Sequence, residues 1–361
     1  MKKFEIPKLA MAKFLSQREG KKIKILEYLK LGSGWHGTGY RITYKIGTKT
    51  KRAVLRTLSP VSFSHDYPSD RASVFVLQNK LFNLIPGHVK SIDVGGYTPQ
   101  GKLISLGDAT EFFQIVEVAD GVPYMKDLER IAKEGKLKDS DLKKAKLLSD
   151  YLATLHKMRF KGKVEVERSL KLRHLRDALG HGEMLMGVLD TYPERLDWLN
   201  KGTVAKLLSR AVRFNRRLSN LPIPLVRMHG DYHPGNIWFK GENDFILLDA
   251  SREIWGVAAD DVTTLAINYI WFSLRTTGRF DGPFKKLFLV FWNNYLQKTK
   301  DRFIEIAAPL FFAFRSVVVA HPTFYPEQSN TVRKKLFTFV LNILQERKFS
   351  REKVNSYLGV A

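Results

Sequence analysis

The loop His229-Gly230-Asp231-Tyr232-His233-Pro234-Gly235-Asn236 sets an aspartate and an asparagine five positions apart in one polar segment. Thirteen residues beyond Asn236, directly after the apolar run Phe245-Ile246-Leu247-Leu248, stands Asp249. Phosphoryl transfer from ATP uses such a set of groups. One carboxylate orients an attacking hydroxyl and accepts its proton, while a second carboxylate and an amide oxygen hold Mg²⁺ on the phosphate oxygens. Asp231 is then the base, and Asn236 and Asp249 are the metal ligands. Taken alone, the loop also reads as an ordinary polar turn, because Asp, Pro, Gly and Asn are the usual turn formers.

Far upstream, Gly32-Ser33-Gly34-Trp35-His36-Gly37 fits the pattern G-x-G-x-x-G. A dinucleotide site would need strand, glycines and then helix. Here the glycines precede a second strand, which favours a hairpin flap whose backbone N–H groups cover phosphates, as in protein kinases. The order of the segments adds weight: glycine flap, basic strand residue, connecting segment, Asp-x4-Asn, then Asp after an apolar strand.

These residues need elements to hold them. Residues 4 to 30 read as a basic amphipathic helical lead-in, anchored by Leu9, Phe14, Ile23, Ile25 and Leu29. Period-two alternation predicts a hairpin from Tyr40–Ile46 and Arg52–Leu58 around the turn Gly47–Lys51. Asp70–Leu84 reads as a helix, and Lys102–Leu106 and Phe112–Val118 as two further strands. From Gly121 onward the chain turns mostly helical, with Ser140 the expected N-cap of a helix over Asp141–Met158. Short strands at Leu225–Met228 and Phe245–Leu248 flank the polar loop. Helices are expected near 260–275, 284–298, 302–319 and 330–347. Strands first and helices afterwards predict an α+β, bilobal arrangement: a lead-in over 1–30, a small β-rich lobe over 31–117 and a large, mainly helical lobe over 118–361.

The chain of 361 residues is 44% hydrophobic and 12% aromatic, enough to bury a sizeable core. It has no cysteine, which excludes a disulfide scaffold, a thiolate nucleophile and a cysteine-ligated metal site. The longest uncharged stretch, Val262 to Leu274, runs about thirteen residues and is too short to span a bilayer. With no apolar leader at the N-terminus, the expectation is a cytoplasmic protein. Sixty Lys and Arg against thirty-six Asp and Glu leave a net charge of +24, half of it within the first sixty residues. That excess reads mainly as solvated surface; a nucleic-acid partner has no motif to support it.

The H-G-D-x-H-P-G-N loop, complete from His229 to Asn236, resembles the most specific mark of the aminoglycoside phosphotransferase-like branch of the protein-kinase-like superfamily. Ile246-Leu247-Leu248-Asp249 is similar to that family's metal-binding strand, and Asp261, five residues after Gly256, to its structural aspartate on the next helix. The resemblance implies a bilobal kinase fold, ATP and Mg²⁺ as cofactors, and transfer of the γ-phosphate to a hydroxyl. It further implies that Gly32, Ser33, Gly34, Gly37 and Arg56 place the triphosphate, and that the backbone of Glu117 to Ala119 meets adenine. Two residues depart from the family pattern. Arg56 stands where the strand lysine is usual, and the helix over Asp70–Leu84 contains no Glu to pair with it, leaving Gln78 or Asp70 as candidates.

Other chemistry-bearing residues have plainer readings. His229 and His233, on a loop with an intervening proline, suit loop bracing better than zinc. Asp177, His181 and Glu183 read as a capped helix end, with an acceptor site as the alternative. Arg252 either meets an anionic acceptor or pairs with Asp260 or Glu253. Trp271, Phe272, Phe288, Phe291, Trp292, Phe311, Phe312 and Phe314 recur at helical spacing and read as core. His321–Pro326 reads as a rigid turn. The combined expectation is a phosphotransferase acting on a neutral or anionic small-molecule hydroxyl. Its rivals are a nucleotide-binding pseudokinase scaffold and a nucleic-acid-associated protein using the basic N-terminal region.

Overall fold

We describe the protein from a computed structural model over residues 6–33, 37–60, 65–250 and 252–360. The chain divides into two compact units, Met1–Val116 and Glu117–Ala361.

In the first unit, α1 (Lys8–Glu19) ends at Gly20 in a left-handed cap, and β1 (Lys24–Ser33), β2 (Gly37–Ile46) and β3 (Lys49–Leu58) follow. They form one antiparallel sheet in the order β1-β2-β3. The lead-in is therefore helical only as far as Glu19. Beyond the glycine stop, buried Ile23 and Ile25 alternate with exposed Lys24 and Leu26, and that period of two selects a strand, interrupted by a register shift between Ile25 and Glu27. Ile6, Met11, Leu15, Ile23, Ile25, Ile42, Tyr44 and Leu103 make a small core, whereas Leu9 and Leu29, expected as anchors, lie exposed. The hairpin of β2 and β3 matches expectation, closing through a turn at Gly47 and Thr48.

Next come α2 (Pro68–Leu84), which buries none of its side chains fully, and a short hairpin of β4 (Gly95–Tyr97) and β5 (Leu103–Ser105). Phe112–Val118 is not a strand: it runs exposed and without regular structure. Strand propensity expresses packing on a neighbouring strand, and among the described residues this segment pairs with none.

The second unit opens with β6 (Val122–Pro123), α3 (Tyr124–Glu134) and α4 (Asp139–Leu155). The N-cap of α4 is Lys138 and not Ser140. Asp141 accepts the Lys138 N–H at 2.7 Å from the third helical position, so the helix starts two residues earlier than its apolar stripe indicates. There follow α5 (Val164–Gly180), α6 (Leu185–Asp190) and α7 (Lys201–Ser219), then β7 (Val226–Arg227), β8 (Ile237–Phe239), β9 (Phe245–Leu247) and β10 (Trp255–Gly256). β6, β8 and β9 form one antiparallel sheet and β7 pairs with β10, so the polar loop joins two small sheets. The chain continues through α8 (Ala259–Thr277), α9 (Gly282–Thr299), α10 (Ile304–Val319), α11 (Asn330–Ile343) and α12 (Val354–Tyr357).

α8 is buried on every side from Ala259 to Leu274, which is why its sequence lacks the polar face of a surface helix. All eight aromatic residues expected in the core are buried there, with Trp292 stacked between Phe288 and Phe312. α10 carries Pro309 inside the helix. The proline has no N–H for the Glu305 carbonyl, and the backbone N–H of Phe349 donates to that oxygen instead at 2.7 Å. The helix thus stays intact across the proline and delivers Arg315 to the site. Among the described residues no helix is long and apolar enough to cross a membrane.

Candidate active site

Asp261, in the first turn of α8, holds the polar loop. Its Oδ2 accepts the His229 N–H at 2.8 Å and its Oδ1 the Gly230 N–H at 2.7 Å. Its third partner is His156 Nε2 at 3.2 Å, and the other nitrogen of that ring lies 2.7 Å from the Tyr295 hydroxyl. Burial acts to raise the Asp261 carboxyl, but the bonds from His156 and the loop amides outweigh it and leave it below the ordinary range. A fully buried carboxylate bonded to two consecutive amides fixes the backbone on which Asp231 sits.

The loop then braces itself. The N–H of Asp231 donates to His229 Nδ1 at 3.2 Å, and that of Gly235 to His233 Nδ1 at 3.0 Å. Asn236 Nδ2 donates to the Asp231 carbonyl at 3.1 Å, which leaves the amide oxygen as the free end of the side chain. The Leu248 N–H donates to the Asn236 carbonyl at 2.9 Å, tying the end of β9 to the loop. Asp249 follows at once, with φ of +52°, a left-handed conformation that aspartate tolerates better than most residues. The carboxylates of Asp231 and Asp249 both act on His233, whose imidazole is lowered from its usual range chiefly by burial. The structure therefore places Asp231 and Asn236 on one braced loop, with Asp249 next to the residue that bonds to the Asn236 carbonyl.

The Asp231 carboxylate meets a partner that its own segment does not reveal. Arg315 on α10 donates from Nη1 to Asp231 Oδ1 at 2.6 Å, and from Nη2 to the Gly230 carbonyl at 2.8 Å and to Asp260 Oδ1 at 2.9 Å. Burial pulls this guanidinium down, and the carboxylates of Asp260 and Asp231 more than offset it, so the group is held above its ordinary range. His174 Nε2 lies 3.7 Å from the other Asp260 oxygen. Arg315 was missed from sequence, and Asp260 was expected only as a candidate partner of Arg252. The signal was present: between Glu305 and Glu327, Arg315 is the sole Asp, Glu, Lys or Arg, in the apolar run that follows the first turn of α10. A lone charge in such a helix needs a buried partner.

Beside Asp231 opens a cavity of about 330 Å³, walled by α6, α8, α10 and the turn at Phe324–Tyr325. Arg252 lines it, and pairs with neither Asp260 nor Glu253: its Nη1 donates to Glu183 Oε2 at 2.6 Å. Room for it comes from Gly230, where φ is +87° and an added Cβ would stand 2.4 Å from the Arg252 Cβ. The glycine of the motif thus serves both the turn and the approach of this side chain.

The remaining expected residues lie elsewhere. Gly32 and Ser33 end β1, Gly37 starts β2, and Gly34 lies outside the described residues, as does His36. A Cβ on Gly37 would overlap the Thr57 carbonyl, so the close approach of β3 to the start of β2 demands glycine there. Arg56 Nη1 donates to Gln78 Oε1 on α2 at 3.3 Å, while Asp70 caps α2 by accepting the Tyr67 N–H. Of the two candidates, Gln78 is the partner of Arg56. Glu117 and Ala119 lie in the irregular segment before β6.

Residues 128–289 match the phosphotransferase enzyme family, APH. The resemblance carried by the His229–Asn236 loop holds. Solved structures similar to this chain include a glucosamine kinase in complex with glucosamine, ADP and phosphate (15% identity, TM-score 0.39), the match covering 63% of this chain and 60% of that one. Others are an amicoumacin kinase (14%, 94% and 96%, TM-score 0.42) and a Plasmodium vivax ethanolamine kinase (14%, 92% and 80%, TM-score 0.35). No curated protein matches the sequence.

Proposed function

We propose that the protein is an ATP- and Mg²⁺-dependent phosphotransferase that moves the γ-phosphate to a hydroxyl of a small molecule. The observation that carries this reading is the Asp231 carboxylate, held by Arg315 at the wall of a cavity, with Asn236 and Asp249 on the same loop and strand end. The family match over residues 128–289 supports it.

The donor set suits Mg²⁺: a free amide oxygen and an exposed carboxylate, both hard oxygen ligands, with positions left for water and phosphate. Bound there, the metal would neutralise charge on the phosphates. Asp231 Oδ1 is engaged by Arg315, which leaves Oδ2 to accept the acceptor's O–H. The hydroxyl oxygen forms its bond to the γ-phosphorus as the bond to the departing ADP oxygen breaks, and the proton passes to Asp231. In the same reading Gly32, Ser33, Gly34, Gly37 and Arg56 place the triphosphate, and the Glu117–Ala119 backbone receives adenine. Arg56 meets a neutral amide in Gln78, which favours a second reading, a nucleotide-binding scaffold without transfer.

One assay separates the two. Asp249→Asn keeps a side chain that tolerates the left-handed backbone but removes the charge, and Asp249→Ala removes the ligand. Asp249→Asn is expected to keep the melting profile and Asp249→Ala to lower it slightly, and both to lose ATP turnover by orders of magnitude. Turnover at the wild-type rate in either variant overturns the metal assignment; nucleotide binding without turnover in the wild type favours the scaffold.

A further inference from the structure

The cavity beside Asp231 is built for more than a hydroxyl. Its two carboxylates, Asp231 and Glu183, each already accept from a guanidinium, Arg315 and Arg252 respectively. A polycation entering this space finds no uncommitted carboxylate among the described lining residues. The guanidiniums are differently placed. Both line the cavity, both are largely withdrawn from water (side chains 6% exposed for Arg315 and 14% for Arg252), and in both the Nε–H is buried without an acceptor. A buried N–H without an acceptor is costly and calls for an explanation, and a bound ligand is one.

Arg315 is committed to Asp231, Gly230 and Asp260. Arg252 is not. Its one carboxylate partner, Glu183, is 68% exposed and belongs to the short link between α5 and α6. Glu183 loses little on release to water, since exposed ion pairs contribute little. Arg252 itself is held in place by its packing on Gly230, one residue from Asp231. A planar fork fixed beside the base, with a displaceable counterion, suits a carboxylate or a phosphate, which can take two parallel N–H bonds.

We propose that the acceptor carries an anionic group, carboxylate or phosphate, besides the hydroxyl that Asp231 receives, and that Arg252 recognises it by exchanging Glu183 for the ligand. The inference rests on the phosphotransferase reading for the hydroxyl; recognition of the anion is independent of it.

The test uses the full chain and two matched sets of probes: glycerol, glycerate and glycerol 3-phosphate, then glucose, gluconate and glucose 6-phosphate. Equilibrium binding is measured by calorimetry without nucleotide, and ATP-dependent phosphate transfer afterwards. In at least one set the anionic members are expected to bind about 10- to 100-fold more tightly than the neutral one, as a charge-assisted fork requires. Whether the carboxylate or the phosphate member leads identifies the group. Arg252→Met should erase the preference, Arg252→Lys should retain part of it, and Glu183→Gln, by removing the competing anion, should strengthen it. Equal binding of neutral and anionic members, no binding by any probe, or a preference that survives Arg252→Met overturns the inference. Anion binding that depends on Arg252, without any ATP turnover, would sustain it while overturning the phosphotransferase reading. Transfer to neutral members alone would do the reverse.

Discussion

Arg315→Met offers the most direct probe of how this site is held. The substitution keeps the apolar stem and removes three bonds, at 2.6 Å to Asp231, 2.8 Å to the Gly230 carbonyl and 2.9 Å to Asp260. Asp260 is fully buried, and its other oxygen faces only the His174 ring at 3.7 Å, an imidazole that burial holds below its usual range and therefore neutral at pH 7. Removing one partner of such a buried pair costs about 3–5 kcal/mol, a large part of the roughly 5–15 kcal/mol that stabilises a typical domain. For a unit of this size the melting temperature should fall by roughly 6–20 °C. Adding Asp260→Asn removes the stranded charge, so the double variant should regain much of that stability. It should not regain turnover, because Asp231 has still lost the guanidinium that orients it. At saturating substrate, kcat is expected to stay about 10- to 100-fold down, with KM for ATP little changed. Thermal unfolding followed by circular dichroism and a steady-state phosphate-transfer assay read the two effects separately. An Arg315→Met protein that melts like wild type refutes the buried-charge argument. A double variant with full kcat refutes the positioning argument.

Two further outcomes follow from the same geometry. Gly230→Ala places a methyl against Arg252 and forces a left-handed backbone, at about 1–3 kcal/mol for the overpacking and about 1–2 kcal/mol for the backbone. Denaturant unfolding should show the sum, and an unchanged midpoint would mean the loop and Arg252 are not packed as described. Burial also lowers His174, His233 and His321. The unfolded chain takes up protons on these rings near about pH 6.5 that the folded chain refuses, so stability is full above that pH and falls as the pH drops through it. Urea midpoints should be lower at pH 5.5 than at pH 7.5, and His174→Gln should reduce the difference; equal wild-type midpoints would contradict the burial of these rings.

The chemistry of the site was legible where the chain is local. Asp231, Asn236 and Asp249 could be read as one group because they lie on one loop and at the end of the next strand, which β8–β9 pairing ties to that loop; the hold of Asp261 and Arg315 on the loop comes from α8 and α10. The hairpin of β2 and β3 was legible for the same reason, since alternation and a glycine turn determine it within twenty residues. Periodicity located the long helices, and the uncharged run of α8 signalled burial before any packing was known. Where the reading failed, the deciding interaction lay at a distance. Phe112–Val118 has the composition of a strand, but a strand exists only with a neighbour to bond. The lead-in changes from helix to strand at Gly20 because β2 is there to pair with it.

Arg315 and Arg252 illustrate the same division at the site itself. A sequence determines which groups are present and what a short segment can do with them. It does not state which charge, dozens of residues away, will be buried against a given carboxylate. That choice belongs to the packing of α10 and of the link between α5 and α6 around the loop, because a charge withdrawn from water must be paired by whatever the tertiary fold brings within reach.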